Sequence, residues 1–154
     1  MMRNQKLFII FSISAITLLS SKLNAQDALT TFTKAGVKLE VLTTPNNTLV
    51  ELNKEDSLFT YNIASASFPA NKKLAWHYHP GGQVLIITDG IGFYQERGKP
   101  KQIVNKGEVI KCMPNVQHWH GASTDNGVSY IAVYSTKKGV TVWLEPVSDN
   151  DFKN

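Results

Sequence analysis

Beyond residue 36 the apolar positions come in short runs at period two, the spacing of a strand with one buried face. Residues 37–42 read Val-Lys-Leu-Glu-Val-Leu, and Phe59, Tyr61 and Ile63 carry the alternation through residues 58–68. Further runs cover residues 74–79, 83–88, 92–96, 102–104, 108–112, 118–122, 128–135 and 141–144. Turn formers punctuate the gaps: Pro45, Asn46 and Asn47 within residues 43–48, then Asp89-Gly90, Arg97-Gly98 and Asn126-Gly127. No long stretch has helical periodicity. Many short strands with frequent turns predict an all-β sandwich or barrel. Near the end, Ser148 with Asp151 three residues on predicts the cap of one helical turn. Neither a repeat nor a linker interrupts residues 26–154, which read as a single domain.

The first 25 residues follow a different pattern. Arg3 and Lys6 precede an apolar run from Leu7 to Leu19, and a small residue, Ala25, ends the segment. These are the parts of a secretory signal peptide, and the run is shorter than the roughly 20 residues of a membrane span. Cleavage near Ala25 predicts an exported protein, periplasmic or secreted, with no stable membrane span in the mature chain. The segment also changes the charge argument. The whole chain is formally +4; removing Arg3, Lys6 and Lys22 from 16 basic residues leaves 13 against 12 acidic. A nucleic-acid partner then loses its electrostatic support. Cys112, the one cysteine, rules out a disulfide scaffold and reads as a buried small hydrophobe.

All four histidines fall in two His-x-His pairs, His77-Tyr78-His79 and His118-Trp119-His120. On a strand, residues i and i+2 share a face, so each pair can aim two imidazoles the same way. Neutral imidazole is the commonest protein metal ligand. Pairs on neighbouring strands would gather four nitrogens about one point, with Trp119 packing on the opposite face. Tyr130 and Tyr134 share a face at period two, either as core or as the wall of a substrate pocket.

The spacing resembles that of the cupins. Asn71-x5-His77-x-His79-x3-Gln83-x6-Gly90 is similar to their first motif, with Asn for the opening Gly and Gln for the usual Glu. Gly107-x5-Met113-x-Asn115-x2-His118 is in register with the second, with Met and Asn where Pro and Gly are usual. Asn tolerates the left-handed backbone that such glycines adopt. The resemblance implies a double-stranded β-helix, a jelly-roll barrel with a metal in its mouth. The Trp76–Gln83 and His118–Ala122 segments look most like small bacterial cupins that include manganese-dependent hydroxynitrile lyases and carboxymuconolactone-decarboxylase-associated proteins. That resemblance implies His77, His79, Gln83 and His118 as ligands of one divalent ion. Mn²⁺ is favoured, with Fe²⁺, Ni²⁺ and Zn²⁺ open. It also implies His120 as a catalytic acid/base. Where the lyases carry a histidine and a glutamine on a later strand, this chain has Tyr130 and Tyr134.

The expected function is a small-molecule metalloenzyme of lyase type, the metal polarising a carbonyl or hydroxyl oxygen while His120 moves a proton. A metal-dependent dioxygenase and a non-catalytic metal or ligand binder are the alternatives. A homodimer is expected, paired through a sheet edge such as the strand at residues 37–42.

Overall fold

The computed structural model describes residues 40–153. The expected leader over residues 1–25, and residues 37–39 of the first expected strand, lie outside the described residues. The described residues form ten strands, beginning with β1 (Glu40–Thr43), β2 (Thr48–Asn53), β3 (Asn62–Phe68), β4 (His77–Tyr78) and β5 (Gln83–Glu96). They continue with β6 (Gln102–Asn105), β7 (Val109–Cys112), β8 (His118–Ala122), β9 (Val128–Tyr134) and β10 (Val142–Trp143). One short helix, α1 (Asp149–Lys153), follows.

The strands form two antiparallel sheets that share β5. The first runs β1-β2-β3-β9-β5-β7, and the second runs β10-β4-β8-β5-β6. Asp89-Gly90, expected to separate two strands, instead lies inside one strand of 14 residues. The register shifts between Ile87 and Asp89, and Gly90 adopts φ 76°. This bulge bends the strand from one sheet into the other. Only glycine fits there, because a Cβ on Gly90 would lie 2.0 Å from the carbonyl oxygen of Gly127. Between the sheets lies a core that includes Phe68, Leu85, Ile87, Val104 and Tyr130.

Other boundaries moved for local reasons. The strand expected over residues 58–68 begins at Asn62, because Asp56 caps a turn by accepting from the amides of Leu58 and Phe59 at 2.7 Å each. Residues 74–79 yield only His77–Tyr78 as strand. β2 is a strand that the alternation argument passed over. Its first residue follows the Pro45-Asn46-Asn47 turn, where Thr44 Oγ1 accepts from the amides of Asn46 and Asn47 at 3.1 Å each.

A second apolar cluster covers the outer face of the second sheet. Trp119, fully buried, packs with Trp76, Val147 and Phe152, and its indole N–H donates to Gln95 Oε1 at 2.8 Å. Trp119 thus packs on the side away from its neighbouring histidines, as alternation predicts. Ser148 Oγ accepts from the Asp151 amide at 3.1 Å, the expected cap, and so holds α1 where Phe152 can be buried. Among the described residues, no helix is long and apolar enough to cross a membrane.

Candidate metal centre

β4 and β8 pair with His77 directly opposite His118, which puts the two rings on one face, centroids 4.5 Å apart. His120 follows on that face by alternation, 5.1 Å from His77. His79 reaches the same place differently. It lies just past β4, where its carbonyl accepts from the amides of Gly82 and Asn115 at 3.0 and 3.1 Å. Asn71 and Asn115 adopt φ 65° and 61°, the left-handed conformation expected of residues in glycine positions. Met113 and Pro114 therefore leave the second motif's turn intact. One ring nitrogen from each of His77, His79 and His118 lies within 4.8 Å of the others.

Each ring is fixed from behind. Nδ1 of His77 meets the Ala75 carbonyl and Nδ1 of His118 the Val116 carbonyl, both at 2.8 Å. Nδ1 of His79 meets the Thr141 hydroxyl at 3.0 Å, and Nδ1 of His120 the Tyr130 hydroxyl at 2.9 Å. An outer hydrogen bond on one imidazole nitrogen orients the other toward an ion. The inward atoms lack partners: Nε2 of His79, His118 and His120 and Oε1 of Gln83 are all buried and unpaired. Each such group costs about 1–3 kcal/mol if nothing meets it. Their convergence beside His77 fits a cation, and His77, His79 and His118 together could bind a metal.

Burial also keeps the rings neutral, the state that ligates. It pushes His77 down to about 3, helped by neighbouring His118. His79 falls to about 4, again mainly by burial, with Gln83 offsetting part of the change. His118 is lowered by burial as well, and His120 well below its ordinary value by burial and then by His77.

The remaining expected residues are also here. Gln83 opens β5 opposite Tyr134 on β9, so their side chains share the inner face. The Tyr134 ring stands 5.6 Å from His79. Tyr130 is buried against Phe68 and against His120. Cys112 is buried, which pushes its thiol up to about 12 and leaves it inert as a nucleophile near neutrality. Three residues were missed by sequence reasoning. Thr141 supports His79, and the Trp143 ring, opposite His77 on β10, lies tilted 4.8 Å from that ring while 57% exposed. Asn62 lies opposite Tyr134, its Oδ1 accepting from the Glu55 amide and its buried Nδ2 unpaired. Their strands were partly visible as alternation, but nothing in the sequence marks which residues meet across the barrel.

A curled antiparallel sheet with three histidines gathered on its inner face defines a β-barrel protein with a candidate metal centre. A cupin-domain family model matches residues 65–134. The (R)-mandelonitrile lyase of Granulicella tundricola is 35% identical over 91 residues, 58% of this chain and 70% of that protein. A cupin-like protein from Thermotoga maritima is 39% identical with a TM-score of 0.68, covering 71% of this chain and 84% of that one. A DMSP lyase from Ruegeria pomeroyi, at 14% identity and a TM-score of 0.60, covers 72% of this chain and 64% of that one; the likeness is one of fold alone. The chain belongs to the cupin family, and its barrel is the double-stranded β-helix.

Proposed function

We propose that this cupin is an exported, metal-dependent enzyme of lyase type acting on a small molecule with a carbonyl or hydroxyl oxygen. The observation that carries the reading is the set of buried, unpaired ring nitrogens held from behind by their Nδ1 hydrogen bonds. In this reading His77, His79, His118 and Gln83 hold one divalent ion, Mn²⁺ being favoured. All four donors are neutral, so none cancels the ion's charge. When bound, such an ion would supply Lewis-acid polarisation of the substrate oxygen. His120, beside the donor set, meets that oxygen through Nε2. In this reading Tyr130 and Tyr134 line the substrate pocket. Similarity to a mandelonitrile lyase supports a cyanohydrin as the first substrate to try.

The test is direct. Untagged protein is expected to carry about one divalent ion per chain, and His79→Ala to lose it, by elemental analysis. Manganese-loaded protein is then offered (R)-mandelonitrile, and benzaldehyde release is followed by absorbance. Metal retained in His79→Ala would overturn the donor set. Metal with no release of benzaldehyde would overturn the cyanohydrin assignment. Substrate loss only in air would favour a dioxygenase; ligand binding without turnover would favour a binding protein. The Tyr130 and Tyr134 replacements support keeping that last arm. Export rests on the basic, apolar and small-residue order of residues 1–25. It predicts an N-terminus near Gln26 in protein recovered from outside the cytoplasm, read by N-terminal sequencing.

A further inference from the structure

The four histidines differ in what holds them from behind. His77 and His118 face backbone carbonyls, which only accept, so Nδ1 carries the hydrogen in both and Nε2 keeps the lone pair. The Thr141 hydroxyl can accept from His79 in the same sense. His120 faces the phenol of Tyr130, a strong donor. Both side chains are almost wholly buried, and His120 is the one partner of that hydroxyl among the described residues. Were Nδ1–H to donate to the phenol oxygen, the phenol hydrogen would be buried with nothing to accept it, at about 1–3 kcal/mol. With O–H donating to Nδ1, the phenol hydrogen and Nδ1 are both satisfied, and the ring's hydrogen resides on Nε2, the inward atom that awaits a ligand.

We propose that Tyr130 fixes His120 in the Nε2–H tautomer, opposite to that of His77 and His118, so that His120 presents an N–H to the centre instead of a lone pair. This rests on the metal-centre reading above and narrows it. In this state His120 is neither a fourth imidazole ligand nor a base at Nε2. It is a hydrogen-bond donor to an anionic or polarised oxygen of a ligand beside the three histidines, an oxyanion-type role. Tyr130 is the positioning residue. The ligand class follows: a molecule that brings an alkoxide, enolate or carboxylate oxygen to the centre matches this N–H.

The experiment is ring-¹⁵N histidine NMR, which separates the two tautomers by the nitrogen that carries the hydrogen. In the metal-free protein, His77 and His118 are expected as Nδ1–H and His120 as Nε2–H. One equivalent of Zn²⁺ is expected to shift Nε2 of His77, His79 and His118 while His120 keeps its Nε2 hydrogen. In Tyr130→Phe, His120 is expected to lose its exclusive Nε2–H form and populate Nδ1–H. His120 as Nδ1–H in the unmodified protein, or an unchanged Nε2–H signal in Tyr130→Phe, would overturn the proposal. If Tyr130→Phe does not fold, the unmodified spectrum decides. Failure of the metal reading looks different: Zn²⁺ would then shift none of the ring signals, whereas the His120 tautomer is read before zinc is added.

Discussion

Thr141 illustrates what a single side chain contributes to a site it does not enter. Its hydroxyl holds Nδ1 of His79 at 3.0 Å and so aims Nε2 at the other rings. Thr141→Val keeps the volume and removes the acceptor. The expected outcome is a metal affinity weaker by roughly 10–100-fold, read by competition with a chromophoric chelator. Unchanged affinity would place His79 outside the donor set. Gln83 gives a complementary expectation. Its unpaired Oε1 is the neutral donor of the proposed site, so Gln83→Glu is expected to tighten metal binding and weaken retention of an anionic ligand such as mandelate. A calorimetric titration showing neither change would place the side chain away from the ion.

Among the elements, β8 also depends on a residue without a side chain. A Cβ on Gly121 would lie 2.5 Å from Lys73 Cα and 2.6 Å from the Lys72 carbonyl oxygen, and both are backbone atoms that cannot rotate away. Gly121→Ala therefore has to separate β8 from the segment it bridges at Lys73. A loss of about 1–3 kcal/mol in urea unfolding is expected, together with weaker metal binding, because the proposed ligand His118 lies on the strand. Elements like β8 were legible from sequence because every one of their residues obeys alternation. The His77-x-His79 pair was legible only by spacing: His79 lies beyond the strand, and its ring is brought inward by the turn that Asn115 completes. Asp89-Gly90 misled because a bulge and a turn demand the same residues, a positive φ and a small side chain. The Tyr130–His120 contact could not be read at all. Those residues lie on different sheets, and periodicity within a strand says nothing of what faces it across a barrel.

At the scale of the molecule, four buried neutral histidines give stability a pH dependence. Their ordinary value is 6.5, whereas burial takes His77 to about 3, His79 to about 4, and His118 and His120 downward. Well above pH 6.5 folded and unfolded chains bind the same protons at these groups. As pH falls from 6.5 toward 3, the unfolded chain takes up protons that the folded one refuses, so stability is lost. Glu55 and Glu145 are held below their ordinary 4.5, so the interval from 6.5 to about 5 belongs to the histidines. The metal-free protein is expected to show a urea midpoint falling steadily over that interval. A flat profile would mean that the rings are hydrated. The proposed homodimer belongs to this scale too. Among the described residues β1 pairs only with β2, leaving one edge for a second copy. Light scattering is expected to give twice the chain mass, and a monomer mass at high concentration would contradict it.

The strand shared by both sheets sets an order of events. Gln83 stands at one end of β5, paired within the first sheet, while Tyr94 and Glu96 near its other end pair with His120 and His118 in the second. No hairpin or isolated sheet contains the whole donor set, and its members come together only through pairings distant along the chain. Chains dominated by such contacts fold in milliseconds to seconds, with closure of long loops limiting the rate. An ion presented during refolding would therefore find its complete coordination shell only after the barrel has closed. In the proposed metal-bound protein, metal capture would then act as a clock for the final step of folding.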